Sequence, residues 1–589
     1  MEQRWSLDDL YTSFESEEFN KDNESLQSKV EVYRKWAEEN LTSNENALEK
    51  IEYYINNYNK MAALVTKLGA FARLTMSVEA RNIRALQVVE GIDKVITELT
   101  QPNVKFQRWL SGIESVDEII VSSDLIKEHE FHIRDAIENA KYLLSEQEEV
   151  VISKMKQTGS SAWSKLQELL TSTLMVEINI KGEDKKLPLP VVRNLAYESN
   201  SEVRKAAYYA EIKSYDKIVD SSAGALNGIK GEVITVSKMR GYKSPLQVTL
   251  RNSRMDEETL TALLGAMKEY LPKFRKYLRK KAEVLGHENG LPFYDLFAPV
   301  GKVEMSFTYK EAWDFIVNNF RKFSNKLADF ADYAFRNRWI DAEPREGKRG
   351  GAFCFNIHPV KQSRILSNFN GSFGNMTTLA HELGHGYHGQ CLFEQTLMNS
   401  RYPMPIAETA SIFCENIVIN AALERATKEE KLAIIENDLQ SSTQTIVDIY
   451  SRFLFEDEVF NKREKSSVSV KELNEIMLNA QKVTYGNGLD HNFLHQYMWV
   501  NKPHYYFPEN NYYNFPYAFG ELFVRGLYAE YIKRGDAFIE EYDRLLSITG
   551  KFNLVDVAKT AGIDLHSIDF WRSSLDLIKE GIDEFISLA

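Results

Sequence analysis

The chain reads as a mainly α-helical protein, and three observations carry that reading. Over residues 17–100, apolar side chains recur at three- and four-residue spacings, as in Ile51, Tyr54, Ile55, Tyr58, Met61, Ala62 and Val65; a helix with one buried face needs that stripe. The style continues over 120–170 and returns in 202–226, 256–286 and 309–337. Strand-like patterning is confined to short stretches, enough for a hairpin and one small sheet.

Taken in order, Leu174–Ile180 and Lys186–Pro190 flank the polar, Gly-containing turn Lys181–Lys185 and read as a hairpin. Helix resumes from about Val191, with Ser199-Asn200-Ser201 as a cap for 202–226. Asp341–Gly351, with one Pro and three Gly among charges, is a loop leading into a strand over Ala352–Ile357, with Arg364–Phe369 as its neighbour. Gly and Asn in Ser367–Asn375 break that strand, and Asn375 or Thr377 is positioned to cap a helix containing Met376, Leu379 and Ala380. No repeat, low-complexity run or floppy linker interrupts the chain. The expected organisation is an N-terminal helical domain over 1–200, including the hairpin near 174–190, followed by a second domain over 201–589.

At 589 residues with 43% hydrophobic and 27% charged side chains, the chain supports a sizeable core. A formal charge of −13 argues against a nucleic-acid binder. Three cysteines, none in a CxxC pair, suit a reducing compartment and argue against a disulfide framework or cysteine-ligated zinc. The N-terminus lacks an apolar signal region and no run reaches 18 uninterrupted apolar residues. A soluble cytoplasmic protein with no membrane partner is expected; the oligomeric state stays open.

The second domain carries the chemistry. Residues 381–385 read His-Glu-Leu-Gly-His. Side chains four apart on a helix share a face, so His381 and His385 are placed to hold one metal ion. Glu382 is about 100° further round, in reach of a metal-bound water without being a ligand. Two imidazoles, an adjacent base and room for water make the arrangement of a zinc hydrolase.

Catalytic zinc takes a third protein ligand. A third histidine six residues past the second is excluded, because Cys391 occupies that position. Pro403 opens a further helix on which Glu408 and Glu415, seven apart, share an otherwise apolar face. Carboxylates there are costly to bury unpaired, and a metal with its histidines satisfies them. Glu408 is the expected third ligand and Glu415 the acceptor for a ligand imidazole N–H. His388 is read as a buried hydrogen-bonding residue beside the site. Gly350, Gly351 and Ala352 lead a strand whose backbone is suited to hold an extended peptide.

With Lys348-Arg-Gly-Gly-Ala-Phe-Cys before the site and Pro503-His504-Tyr-Tyr and Tyr512-Tyr513-Asn-Phe-Pro-Tyr517-Ala-Phe-Gly520 after it, these motifs resemble the thimet oligopeptidase/oligoendopeptidase F family of zinc peptidases. The resemblance covers roughly residues 200–589 and is looser in the N-terminal third. It implies a two-lobed helical fold around a deep channel, one zinc ion per chain and short unfolded peptides as substrates. It also implies that Tyr513, Tyr517 and His504 contact the substrate and its oxyanion, with His491 and His495 as nearby competitors. Tyr513 and Tyr517 are four apart, on one face if helical.

The expected reaction is hydrolysis of internal peptide bonds. A peptidyl-dipeptidase or carboxypeptidase on the same site is the nearest rival, and it needs a cation to hold the substrate C-terminus. A non-catalytic, zinc-containing peptide-binding protein is the alternative from another class.

Overall fold

Residues 2–589 are described by a computed structural model. Helices make up most of it, and the described residues contain five short strands: β1 (Met175–Ile180), β2 (Glu183–Pro188), β3 (Ile340–Asp341), β4 (Phe353–Ile357) and β5 (Gln362–Leu366). Packing divides the chain into two compact units. One holds residues up to Leu143, Met305–Ala422 and Glu530–Ile563; the other holds Leu144–Glu304, Leu423–Ala529 and Asp564–Ala589. Each unit draws on three stretches of chain, a different partition from a cut at residue 200.

In the first unit, the expected N-terminal helical run resolves into Glu17–Asn40, Ala47–Val78 and Ile83–Glu98. Ser16 caps the first by accepting from the Phe19 N–H, and Asn82 caps the third by accepting from that of Ala85. Phe19, Leu26, Tyr33, Leu68, Phe71 and Leu74 from these helices share one buried cluster with Ile357 of β4 and Leu366 of β5. The small sheet is therefore anchored on helices that precede it by hundreds of residues. Ala47–Val78 and Met404–Leu423 are long and apolar enough to cross a membrane by composition, at mean hydropathy 1.3. Both spend much of that apolar surface on core packing, burying Ile51, Ile55 and Leu68 in one and Ala410, Phe413 and Val418 in the other.

The sheet runs β3-β5-β4, which leaves β4 at an edge. β4 and β5 are antiparallel from Phe353↔Leu366 to Ile357↔Gln362. β5 runs Gln362–Leu366 rather than Arg364–Phe369: a 3₁₀ turn over His358–Val360 and Lys361 at φ +51° start it at Gln362, and it ends where β4 begins, at Phe353↔Leu366. The 309–337 helix is two helices, Tyr309–Phe323 and Asn325–Arg336, divided at Ser324, whose hydroxyl accepts from the Leu327 N–H to cap the second.

In the second unit, β2 begins at Glu183, three residues earlier than the apolar pattern suggests. The reason is a two-residue turn: Lys181 and Gly182 both take positive φ (+54° and +88°), the conformation that joins strands tightly, and Ile180 then pairs with Glu183. The 202–226 helix is also broken, into Ser201–Ser214 and Val219–Met239, by a 3₁₀ turn over Tyr215–Lys217.

Candidate active site

The helix that carries His-Glu-x-x-His spans Phe373–Leu392. Its cap is Ser372, which accepts from the Asn375 N–H at 3.3 Å, and not the expected Asn375 or Thr377. Asn375 turns its own carbonyl oxygen back to the Asn370 N–H at 2.7 Å, and Thr377 donates to the Gly374 carbonyl within the first turn.

Gly384, inside the motif, decides how closely the next helix approaches. A Cβ there would sit 2.4 Å from the Ala410 carbonyl oxygen and 2.6 Å from Ser411 Cα. Both are backbone atoms of the helix Thr409–Leu423, so neither has a rotamer to move away. Gly384→Ala should raise helix propensity by ~1 kcal/mol, but the overlap must part the two helices at roughly 1–3 kcal/mol. The expected outcome is a net loss of stability with weakened metal affinity, read by thermal unfolding with and without zinc.

Glu408 is not two helical turns before Glu415 on a continuous helix. Met404–Ile406 form a 3₁₀ turn, Ala407 and Glu408 follow as a turn, and the α-helix starts at Thr409, its first bond running from the Ile412 N–H to the Glu408 carbonyl at 3.2 Å. The side chains still converge. Glu408 Oε2 is 3.3 Å from His381 Nε2 and 3.3 Å from His385 Nε2. The three donor atoms lie within 4.8 Å of one another.

This set fits a metal ion. Nitrogen and oxygen donors roughly 2.0–2.1 Å from a tetrahedral ion stand about 3.3 Å apart, the separation of Glu408 from each histidine. Glu408 keeps 42% of its side chain exposed, so the cluster opens to solvent as a reactive site must. Glu415 Oε2 is 3.2 Å from His381 Nδ1, which places the proton on Nδ1 and turns Nε2 toward the cluster. Burial opposes charge on both groups, yet the facing imidazoles and Ser411 hold the Glu408 carboxyl well below its usual range, and the carboxylates push His381 up to about 10.

Glu382 is buried beside this set. Burial raises its proton affinity, opposed by His385 and His381 and by a backbone hydrogen bond from Cys354 in β4. Its Oε2 has no hydrogen-bond partner among the described residues. Two further residues position these groups. The Asn356 amide donates to the His385 carbonyl at 3.0 Å and its oxygen accepts from Ser363 at 2.7 Å, locking β4 to the motif helix. Ser411 donates to Glu408 Oε2 at 2.7 Å. His388 is fully buried, 2.9 Å from the Thr549 hydroxyl through Nε2 and stacked on Tyr402 at 4.3 Å.

Before β4, Lys348 is buried with its ammonium on Asp341 (2.7 Å) and on the carbonyls of Ser367, Asp341 and Glu343. That staples the loop leading to Gly350, Gly351 and Ala352. A Cβ at either glycine would meet open space, and Gly351 takes φ +80°.

The metal set belongs to the first unit; His504, Tyr513 and Tyr517 belong to the second. Their rings cluster: His504 lies 5.6 Å from Tyr513 and 6.1 Å from Tyr517, and the two tyrosines are 5.3 Å apart. A shared helix face does not cause this, because Tyr513 precedes the helix Phe515–Arg534. Tyr512 at φ +49° makes the bend. Lys230 fixes it from below, bonding Glu456 Oε1 at 2.7 Å and Asn511 Oδ1 at 2.9 Å, while Asn514 donates to Glu456 Oε2 at 3.0 Å. Burial, with Arg452 and Lys502, pushes His504 down to about 4, so its imidazole is neutral at neutral pH. Of the competitors, His491 sits on the Gly486 carbonyl and His495 is buried 3.4 Å from Glu211.

Comparison with known proteins places the chain in a family. Residues 194–577 match the family described as Peptidase family M3, and 112–175 match Oligopeptidase F. Oligopeptidase PepF of Bacillus subtilis is 24% identical, covering 100% of this chain and 87% of its own. A solved Chlamydophila abortus chain superposes with a TM-score of 0.85 at 20% identity, covering 100% and 98%. Oligoendopeptidase-F from Enterococcus faecium gives 0.70 at 17% identity, covering 97% and 98%. With its donor cluster on the matched segment, the chain belongs to peptidase family M3 and is a metallo-oligopeptidase.

Proposed function

We propose that the chain is a zinc-dependent endopeptidase that hydrolyses internal bonds of short, unstructured peptides in the cytoplasm. The observation that carries this reading is the donor trio within 4.8 Å, with Glu408 3.3 Å from each histidine, beside a buried carboxylate with a free oxygen. His381, His385 and Glu408 would hold one zinc ion, which when bound acidifies water and polarises the scissile carbonyl. Glu415 keeps His381 in the ligating tautomer. Glu382 takes the proton from the attacking water and delivers it to the leaving amine. His504, Tyr513 and Tyr517 donate hydrogen bonds to the developing oxyanion. Gly350, Gly351 and Ala352 lead the substrate along the edge strand β4, where backbone bonds tolerate varied side chains. Three free cysteines accord with a reducing cytoplasm.

Mass spectrometry of products from peptides blocked by N-acetylation and C-amidation tests the reading. Cleavage of both at internal bonds, lost on chelation and restored by zinc, is expected. Products confined to residues released from a free C-terminus would replace it with the peptidyl-dipeptidase reading.

A further inference from the structure

A cavity of about 300 Å³ lies wholly within the second unit. Phe293, Tyr294 and Phe297 form an aromatic wall, and Arg193, Gln444 and Lys502 contribute polar groups. The charges around it do not balance. Arg193 is paired with Glu211 at 3.1 Å, and Arg452 with Asp448 at 2.7 Å through Nε. Glu211 is further satisfied by the Tyr215 hydroxyl at 2.7 Å. Lys502, between these pairs in charge terms, has no hydrogen bond to its ammonium and no carboxylate within ion-pair distance among the described residues. Burial and the neighbouring Arg452 accordingly push Lys502 down to about 7.

An uncompensated cation in a low-dielectric site is unfavourable on its own and gains most from an anion brought in from outside. Two further observations mark the place as built for a ligand. Gln444 and Asp448 stand on one π-helical turn, a distortion of the helix ladder that recurs at functional sites. One side chain of the lining, His495, is buried with its Nδ1 unpartnered, where buried polar groups are normally paired.

We propose that this cavity binds a peptide carboxylate, with Lys502 as its counter-ion, Arg193 and Gln444 beside it, and the aromatic wall taking the apolar part of the same residue. The carboxylate is either the substrate C-terminus or an acidic side chain. The inference rests on the peptidase reading for its ligand class. It makes Lys502 a specificity residue, separate from the hydrolytic groups.

The test uses the full chain and two matched peptide pairs, one with free-acid against amidated C-terminus and one with internal Glu against Gln. In the wild type, the KM of the neutral member should exceed that of the acidic member by roughly tenfold or more in one pair; that pair identifies the source of the carboxylate. Lys502→Met should bring the ratio close to one, and Lys502→Arg should preserve it. Ratios near one for both wild-type pairs, or an unchanged ratio in Lys502→Met, would overturn the site. If no peptide is hydrolysed, the peptidase reading falls, and the same ratios measured by fluorescence anisotropy with labelled peptides decide the carboxylate site on its own.

Discussion

Glu382→Gln should lower kcat by at least about 10²–10⁴-fold, the range of a positioned general base, with bound metal and KM little changed. The substitution keeps the shape of the side chain and its bond from the Cys354 backbone, but an amide cannot accept the proton of the attacking water. The free wild-type Oε2 makes that acceptor available, and burial strengthens it as a base. The experiment needs kcat and KM on one quenched peptide, zinc content of the same sample, and an expression host free of the wild-type enzyme. Turnover within tenfold of wild type would remove Glu382 from the mechanism and shift the base role to another carboxylate.

Glu408→Ala should abolish stable metal binding, whereas Glu415→Gln should weaken it by only about 10–100-fold, as expected when an outer hydrogen-bond partner of a ligand is lost. Glu408 faces both Nε2 atoms at 3.3 Å, so its loss removes a donor and leaves two imidazoles that hold zinc poorly. Glu415 faces Nδ1 of His381 alone and acts through that ring. Titration against a competing chelator separates the two variants without reference to activity. A larger loss for Glu415→Gln than for Glu408→Ala would exchange the two roles.

The chemistry was legible because it is written locally. His381, Glu382 and His385 are spaced by helix geometry alone, and a helix does form there. The hairpin was readable for the same reason, since Lys181-Gly182 encodes its turn within two residues. Boundaries were less so. Ser372 caps the motif helix in place of the expected Asn375 or Thr377, and all three residue types suit the role. The 3₁₀ turn that puts Glu408 ahead of its helix, and the bend at Tyr512 that brings Tyr513 to Tyr517, depart from the periodic pattern that suggested shared faces.

From the sequence alone came the helical class, the two-histidine motif with its base, the exclusion of Cys391's position as a third histidine ligand, and the choice of Glu408 and Glu415. Helix periodicity acts over a few residues, so the class and the His-Glu-x-x-His spacing survive without knowledge of the fold, whereas Glu408 meets the histidines through a turn that precedes its helix. Tertiary structure alone decided which groups hold that chemistry in place. Asn356 reaches the motif helix from a strand, Gly384 admits the backbone of Ala410, and Lys230 braces Glu456 and Asn511 from more than 200 residues away. Lys502 became visible as an unpaired cation only once its neighbours' charges were seen to be spent on each other. Such contacts join residues distant in the chain, and their strength depends on burial, which a residue acquires only when the chain folds.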